Sequence, residues 1–230
     1  MNYTSSIYNC LDSEQKSYIE SLKEILEKKM PADLFAHSCG TMDFSARLAD
    51  RYYDLLRQEV CAESKVRKDF TSHSLRMRFY KLLVAGMLHD YAKIYDDGTL
   101  AAIAKQHGTA LSDFEISCRP IIHGYIGPFL IQRDFGIYDS DIENSIRSHT
   151  TGSLRMGVAD RILYIADKLE PTRDYRGVRK LRKLSMKSLD LCLLEVYKSN
   201  IIYVIMRNHA LHPDTSKIWN YICGGLKNAI

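Results

Sequence analysis

From end to end of this chain apolar residues return every three to four positions, and no segment of useful length alternates with period two. Such a pattern gives helices an apolar stripe and gives strands no apolar face, so the fold expected is all-α. Punctuation is sparse, with 12 glycines and 5 prolines in 230 residues and no Gly/Ser/Pro linker, repeat or low-complexity stretch. One helical domain is expected, without a linker to divide it.

The spacing predicts a helix over 13–29 with Tyr18, Leu22, Ile25 and Leu26 on one face, capped by Asp12 with Gln15 and stopped by Pro31. A second, over 32–60, carries Leu34, His37, Thr41, Ser45, Leu48, Tyr52 and Leu55 on one stripe. Residues 74–93 are apolar nearly all round, the pattern of a central buried helix. Shorter helices follow over 99–107, ended by Gly108, and 120–135, ended by Gly136 and bent by Pro128. Ser140 and Glu143 read as a capping box opening a helix to Ser148. Val158, Ile162, Ile165, Ala166 and Leu169 stripe another before Pro171, and helices over 188–208 and 215–228 close the chain.

Net charge is +4, from 32 basic and 28 acidic residues, too mild for a nucleic-acid footprint. The longest apolar runs, Leu82–Leu88 and Ile201–Met206, fall far short of the roughly 18 residues of a membrane span. The N-terminus shows neither the basic nor the apolar region of a secretory signal. Cysteines 10, 39, 61, 118, 192 and 223 form no CxxC, so they read as reduced thiols. A cytoplasmic protein, partnered by neither nucleic acid nor membrane, is expected.

The informative feature is a set of His and Asp residues where helices should be buried. His89-Asp90 ends the most apolar helix, where an imidazole and a carboxylate are costly to desolvate unless something compensates. Adjacent helical residues point about 100° apart, so a break at the helix end is needed for both to converge on one ion. His37 lies on an inward stripe, His123 opens a helix, His149 ends one, and Asp167 sits between Ile165 and Leu169 on an apolar side. A buried carboxylate is rarer than a buried histidine, which makes Asp167 the most diagnostic. Six N/O candidates without cysteine suit Fe(II), Mn(II) or Zn(II).

In the order His37, His89-Asp90, Asp167 the chain resembles the HD-domain metal-dependent phosphohydrolases. With His89-Asp-Tyr-Ala-Lys93, Ile122-His123-Gly124, His149-Thr-Thr-Gly152 and Ala166-Asp-Lys-Leu-Glu-Pro-Thr-Arg173, it is similar to their YqeK branch, bacterial symmetrical diadenosine tetraphosphatases. The likeness implies an HD helical bundle over 31–222, behind a helical extension (1–30) and before a tail (223–230). It implies iron, and hydrolysis of diadenosine tetraphosphate to two ADP. By the same likeness His37, His89, Asp90 and Asp167 map to metal ligands, and Lys93, His123, His149, Thr150 and Arg173 to phosphate-holding positions. Pro213, Asp214 and Thr215 resemble a segment that reaches the nucleotide.

Two departures stand out. Where the family carries Arg three residues before the first ligand, this chain has Leu34. The step from His37 to His89 is longer than the family's, which places an insertion near 57–78. That insertion contains Thr71-Ser-His73-Ser, which reads locally like the first-ligand motif. On a continuous helix, however, His73 and His89 face nearly opposite ways, so His37 is preferred. His107, His209 and His212 read as surface or loop histidines, and Lys168 and Arg147 as solvated helix-end charges. The basic run Arg176–Lys187 reads as an exposed helix face, and Tyr91 and Tyr175 as candidates to stack on a base.

The chemistry expected is attack by water made acidic at a divalent ion, with Asp90 as ligand and base and Lys93, Arg173 and Thr150 on phosphate oxygens. His123 and His149 admit two roles, ligands of a second ion bridged by Asp90 or contacts to the departing phosphate. Rival functions are an HD phosphohydrolase of guanosine polyphosphates or deoxynucleotides, and a metal- and nucleotide-binding regulator without turnover. A homodimer is a further expectation.

Overall fold

The computed structural model describes residues 6–63, 68–106 and 111–227. Among them are thirteen α-helices, one 3-10 turn and no strand, the all-α architecture expected. The helices are α1 (Ser6–Cys10), α2 (Ser13–Lys29), α3 (Ala32–Arg51), α4 (Tyr53–Glu63) and α5 (Lys68–Leu88), followed by the turn Tyr91–Ile94. Then come α6 (Asp97–Gln106), α7 (Asp113–Ser117), α8 (Arg119–Phe135), α9 (Ser140–Thr151) and α10 (Val158–Leu169). Last are α11 (Val178–Ser185), α12 (Leu189–Met206) and α13 (Thr215–Lys227).

Helix α5 is the axis of the molecule, with α3, α9 and α10 packed around its C-terminal half and α8 against α9. Its residues Leu82 to Leu88 are buried on every side, as the all-round apolar pattern requires. The closest approach is at Gly86, where a Cβ would lie 3.0 Å from the Met42 Cα of α3. Helices α1 and α2 cover the outer side of α3 and α5, burying Ile7, Ile19, Leu22 and Leu26. No helix among the described residues is long and apolar enough to cross a membrane. All six cysteines are free thiols.

Several boundaries differ from those read in the sequence, each for a local reason. The helix expected over 32–60 breaks at Tyr52, whose hydroxyl donates to the Ser185 carbonyl at 2.7 Å and whose backbone leaves helical geometry at ψ 30°. The cap of α9 is Asp139, not Ser140: its carboxylate accepts from the N–H groups of Asp141 and Ile142. With Asp139 as cap, Ile142 takes the third position, so Glu143 stands outside the capping box and accepts from the Gln132 amide at 2.6 Å. The Asp12–Gln15 box forms as expected. The short α1 and α7 carry too few apolar positions to show a period, whereas α11 falls in the basic run and buries Val178 and Leu181. In the basic run, Arg179, Lys180, Lys183 and Lys187 are exposed. Arg182 is the exception, donating to the carbonyls of Leu169, Glu170 and Arg173 and so fixing the turn after α10. Gly108 and His107 lie outside the described residues.

Candidate metal centre

Helix α5 ends at Leu88, and Asp90 leaves helical geometry at φ −105°, ψ 8°. This break turns the neighbouring His89 and Asp90 toward one point. α3 brings His37 to that point from its inward stripe, α10 brings Asp167 from its last turn, and α8 and α9 bring His123 and His149. All six side chains are buried, with exposures from 0% at His89 to 7% at His37. Six polar groups at one place in an apolar core demand a compensating partner.

The ligand-type atoms fall into two groups, each within 4.8 Å of mutual separation: His37, His89, Asp90, Asp167, and Asp90, His123, His149. In the first, His37 Nε2 lies 3.1 Å from His89 Nε2, 3.4 Å from Asp90 Oδ2 and 3.0 Å from Asp167 Oδ1. In the second, His123 Nε2 lies 3.1 Å from His149 Nε2, and these atoms are 3.3 and 3.4 Å from Asp90 Oδ1. Asp90 therefore belongs to both groups, one oxygen to each. Its Oδ1 is buried and accepts no hydrogen bond, which fits a carboxylate oxygen made for a cation.

The far nitrogens explain the orientation of the rings. His89 Nδ1 lies 2.9 Å from the Gly86 carbonyl and His149 Nδ1 lies 2.6 Å from the Ile146 carbonyl. A carbonyl only accepts, so Nδ1 carries the proton and Nε2 turns its lone pair inward. For His37 the acceptor is Glu170, whose Oε1 lies 3.0 Å from Nδ1. Glu170 is fully buried and is held by the Thr172 N–H at 2.7 Å and by the Thr172 hydroxyl. It fits only because Gly40 faces it, where a Cβ would lie 2.4 Å from Glu170 Oε2. Sequence reasoning quoted Glu170 within its motif but gave it no role; the available signal was an acid three residues after Asp167, directly before Pro171.

The electrostatics divide the two groups. Burial opposes a charge on His37, yet the hydrogen bonds it donates to Asp167, Asp90 and Glu170 outweigh it and push its pKa up to about 10. His89 is raised in the same way, against burial, by Asp90 and Asp167. Asp90 and Asp167 resist burial and are held well below the usual carboxylate range, Asp90 by His89 and the other histidines, Asp167 by Lys168, His37 and His89. Burial prevails at His123, which is lowered, and at His149, which drops to about 3. The first group is thus built to hold positive charge, and the second presents neutral imidazoles beside an anionic oxygen.

Three cations ring these carboxylates. Lys93 Nζ lies 2.6 Å from Asp90 Oδ2, and Arg173 lies 2.8 Å from Asp167 Oδ1 with its Nε donating to the Asp167 carbonyl. Lys168, read in the sequence as a solvated charge, donates instead to Asp167 Oδ2 at 2.5 Å and to the His149 carbonyl at 2.6 Å. The Thr150 hydroxyl lies 2.9 Å from His149 Nε2 and 3.2 Å from His123 Nε2.

Other sequence candidates lie elsewhere. His73 is exposed on α5 beside Arg76, on the face its helical phase dictates. His209 is exposed, while His212 is part-buried against Glu115 and Tyr125. Pro213, Asp214 and Thr215 lead into α13 and make no hydrogen bond to the cluster; Asp214 pairs with Lys217. Tyr91 is fully buried with its hydroxyl on Asp134, so it has no face to offer a base. Tyr175 donates to the Lys168 carbonyl and remains partly exposed.

The HD domain family model matches residues 34–172, a span that contains all six buried His and Asp residues. The "Bis(5'-nucleosyl)-tetraphosphatase, symmetrical" of Bacillus subtilis (strain 168) is 26% identical over 201 residues, 87% of this chain and 95% of that protein. The protein of the same name from Staphylococcus aureus (strain NCTC 8325 / PS 47) is 26% identical over 205 residues, 88% of this chain and 93% of its own. A crystal structure described as a "predicted HD superfamily hydrolase involved in NAD metabolism", from Clostridium acetobutylicum, superposes with a TM-score of 0.72 at 30% identity, covering 89% of this chain and 96% of that one. The match over more than half of the sequence, with the same helical architecture, means that this chain belongs to the HD domain family.

Proposed function

We propose that this protein hydrolyses diadenosine tetraphosphate symmetrically, adding one water and releasing two ADP. The observation that carries the reading is the convergence of His37, His89, Asp90 and Asp167 from three helices and a helix end, with Lys93 and Arg173 at its edge. The relatives named above for this activity share most of the chain's length.

Those four residues are the proposed ligands of a divalent ion. Two carboxylates and two imidazoles favour Fe(II), with Mn(II) or Zn(II) as alternatives, over a thiolate-preferring metal. When bound, such an ion acts as a Lewis acid toward a phosphoryl oxygen and makes water acidic enough to serve as a nucleophile near neutral pH. The residues of the chain supply the rest. Glu170 holds the His37 ring in register, and Asp90 gives one carboxylate oxygen to each of the two ligand groups. Lys93 and Arg173, each partly exposed, place positive charge where non-bridging phosphate oxygens arrive. ADP is a stable leaving group, so neutralising its charge matters more than a strong acid.

His149 bears on the number of ions. Its Nδ1 proton is committed to the Ile146 carbonyl and burial keeps the ring neutral, so Nε2 is an acceptor. An acceptor meets a cation, not a phosphate oxygen. Asp90, His123 and His149 would therefore hold a second ion, and the Thr150 hydroxyl beside both histidines would then be released to contact phosphate.

The test is anaerobic purification, metal analysis, and turnover of a nucleotide panel with Fe(II), Mn(II) and Zn(II). ADP as the sole product from diadenosine tetraphosphate is expected. ATP plus AMP would overturn the cleavage position, and preference for guanosine polyphosphates or deoxynucleotides would overturn the substrate. Bound nucleotide without turnover would assign a regulator instead.

A further inference from the structure

The last turn and a half of α12 is apolar on every side and stands exposed. Its segment 199–206 carries no charged residue. Ile202, Tyr203, Ile205 and Met206 are open to solvent, as is Leu211 just beyond, by fractions from 37% at Leu211 to 77% at Met206. A helix end without a polar face belongs in an interior. Nor is this end frayed. Asn208 adopts the left-handed conformation at φ 55°, its N–H donates to the Ile205 carbonyl at 2.9 Å, and the His209 N–H donates to the Val204 carbonyl at 3.1 Å. This pair of bonds closes a finished helix, so the exposed apolar turn keeps one shape.

Beside the turn lies a hollow of about 290 Å³, with Ile201, Ile202, Leu211 and Trp219 among its lining residues. Ile202 and Leu211 thus belong both to the exposed patch and to the hollow. A projecting apolar turn and an apolar hollow on one surface make that surface self-complementary, which is what a two-fold pair of identical chains requires. The lysines nearby are neutralised within the chain, Lys198 by Glu195 and Lys217 by Asp214, and Arg207 lies over the Tyr203 ring, 5.0 Å from its centroid. The area is adequate as well. Side chains of this size present roughly 200 Å² each when fully open, so the five exposed residues offer on the order of 550 Å² of apolar surface. A standard interface buries about 800 Å² on each partner, of which about 65%, roughly 500 Å², is apolar in a homodimer.

We propose that the end of α12 and the hollow beside it form the contact of a two-fold homodimer, in which Ile205 and Met206 of each copy enter the hollow of the other. The occupant is a second copy because one patch carries both the projection and the recess that receives it. A flat lipid surface would take the projecting turn and leave the recess unfilled. The inference stands apart from the activity reading: all six buried His and Asp residues of the metal centre come from a single chain, so each copy keeps a complete centre.

The test is the mass of the full chain by sedimentation equilibrium over a wide concentration range, with Trp219 fluorescence read on the same samples. Trp219 is the single tryptophan of the chain and lines the hollow, so its emission reports what fills it. The wild-type protein should sediment at twice the chain mass, and dilution to monomer should shift the Trp219 emission to the red. In Ile202→Glu/Met206→Glu a carboxylate would enter an apolar contact, so the dimer should weaken about 100-fold or more, with metal content unchanged. Tyr138→Glu, at an exposed aromatic outside the patch, should leave the dimer intact. If the double variant folds poorly, Met206→Lys at the most open position must show the same shift to monomer. A wild-type protein that stays monomeric at the highest concentration overturns the proposal, as does one that binds phospholipid vesicles as a monomer. A dimer that survives both the double variant and Met206→Lys, with Trp219 emission indifferent to dilution, overturns it too.

Discussion

The Nε2 atom of His37, on α3, lies 3.0 Å from Oδ1 of Asp167, on α10. Neither residue has a local reason to be buried, and each is tolerable only in the presence of the other and of a shared positive charge. Asp167→Asn keeps the shape and removes the charge. Metal analysis of this variant should show the first ion lost, and its kcat/KM should fall by more than the roughly 100-fold that losing an outer partner costs. Chelation of the wild-type protein should abolish turnover and lower its melting temperature, because a ligand that binds only the folded state stabilises it. Turnover that survives complete metal removal would refute the centre.

Glu170 reaches the metal centre through His37 Nδ1 at 3.0 Å, while Arg173 Nε stands farther off at 3.7 Å. Glu170→Gln preserves the volume but replaces a full carboxylate acceptor with a neutral amide. Metal affinity, read by competition with a coloured chelator, should drop about 10- to 100-fold. Excess metal should restore kcat, since the substitution weakens the hold on His37 rather than the chemistry.

Gly40 separates a stability effect from a positioning effect. An alanine Cβ there would lie 2.4 Å from Glu170 Oε2, so the carboxylate must move away from His37 and Thr172. Alanine also favours the helix over glycine by about 1 kcal/mol, which offsets strain in α3. Gly40→Ala should therefore melt close to the wild-type temperature yet lose metal affinity as Glu170→Gln does. The double variant should lose little more than either single one, because both act through the same side chain.

Which residues would meet at this centre was readable because the sequence placed polar ligand types on apolar stripes. The helical period also excluded His73 from the cluster, since 16 residues along α5 turn it away from His89; it stands exposed beside Arg76. What periodicity could not carry were contacts made by groups without a period. Arg182 and Lys168 looked like solvated charges because a sequence does not show backbone carbonyls, and their partners are mostly carbonyls at the ends of other helices. Tyr52 broke a helix through a hydroxyl bond to Ser185, a residue far along the chain. A groove of about 560 Å³ along α9 was illegible for the same reason, since residues of seven helices line it.

Leu34 lies one helical turn before His37 on α3, half-buried against the core, where the family pattern has arginine. The remaining cations at the centre are committed to its carboxylates: Lys93 to Asp90, Lys168 and Arg173 to Asp167. A substrate with four phosphates therefore meets less free positive charge here than the pattern provides. Leu34→Arg should supply a guanidinium at the rim without touching a ligand. A contact to phosphate that is present before and during the reaction strengthens substrate and transition state alike, so it lowers KM and leaves kcat nearly unchanged. The cost is the packing of one half-buried leucine, about 1 kcal/mol of stability, which a melting curve will show separately. Steady-state kinetics on diadenosine tetraphosphate decide the matter. A fall in KM at constant kcat, with ADP still the sole product, is expected. A rise in kcat at constant KM would mean that the arginine acts on the reacting phosphorus, and that Leu34 limits chemistry rather than binding.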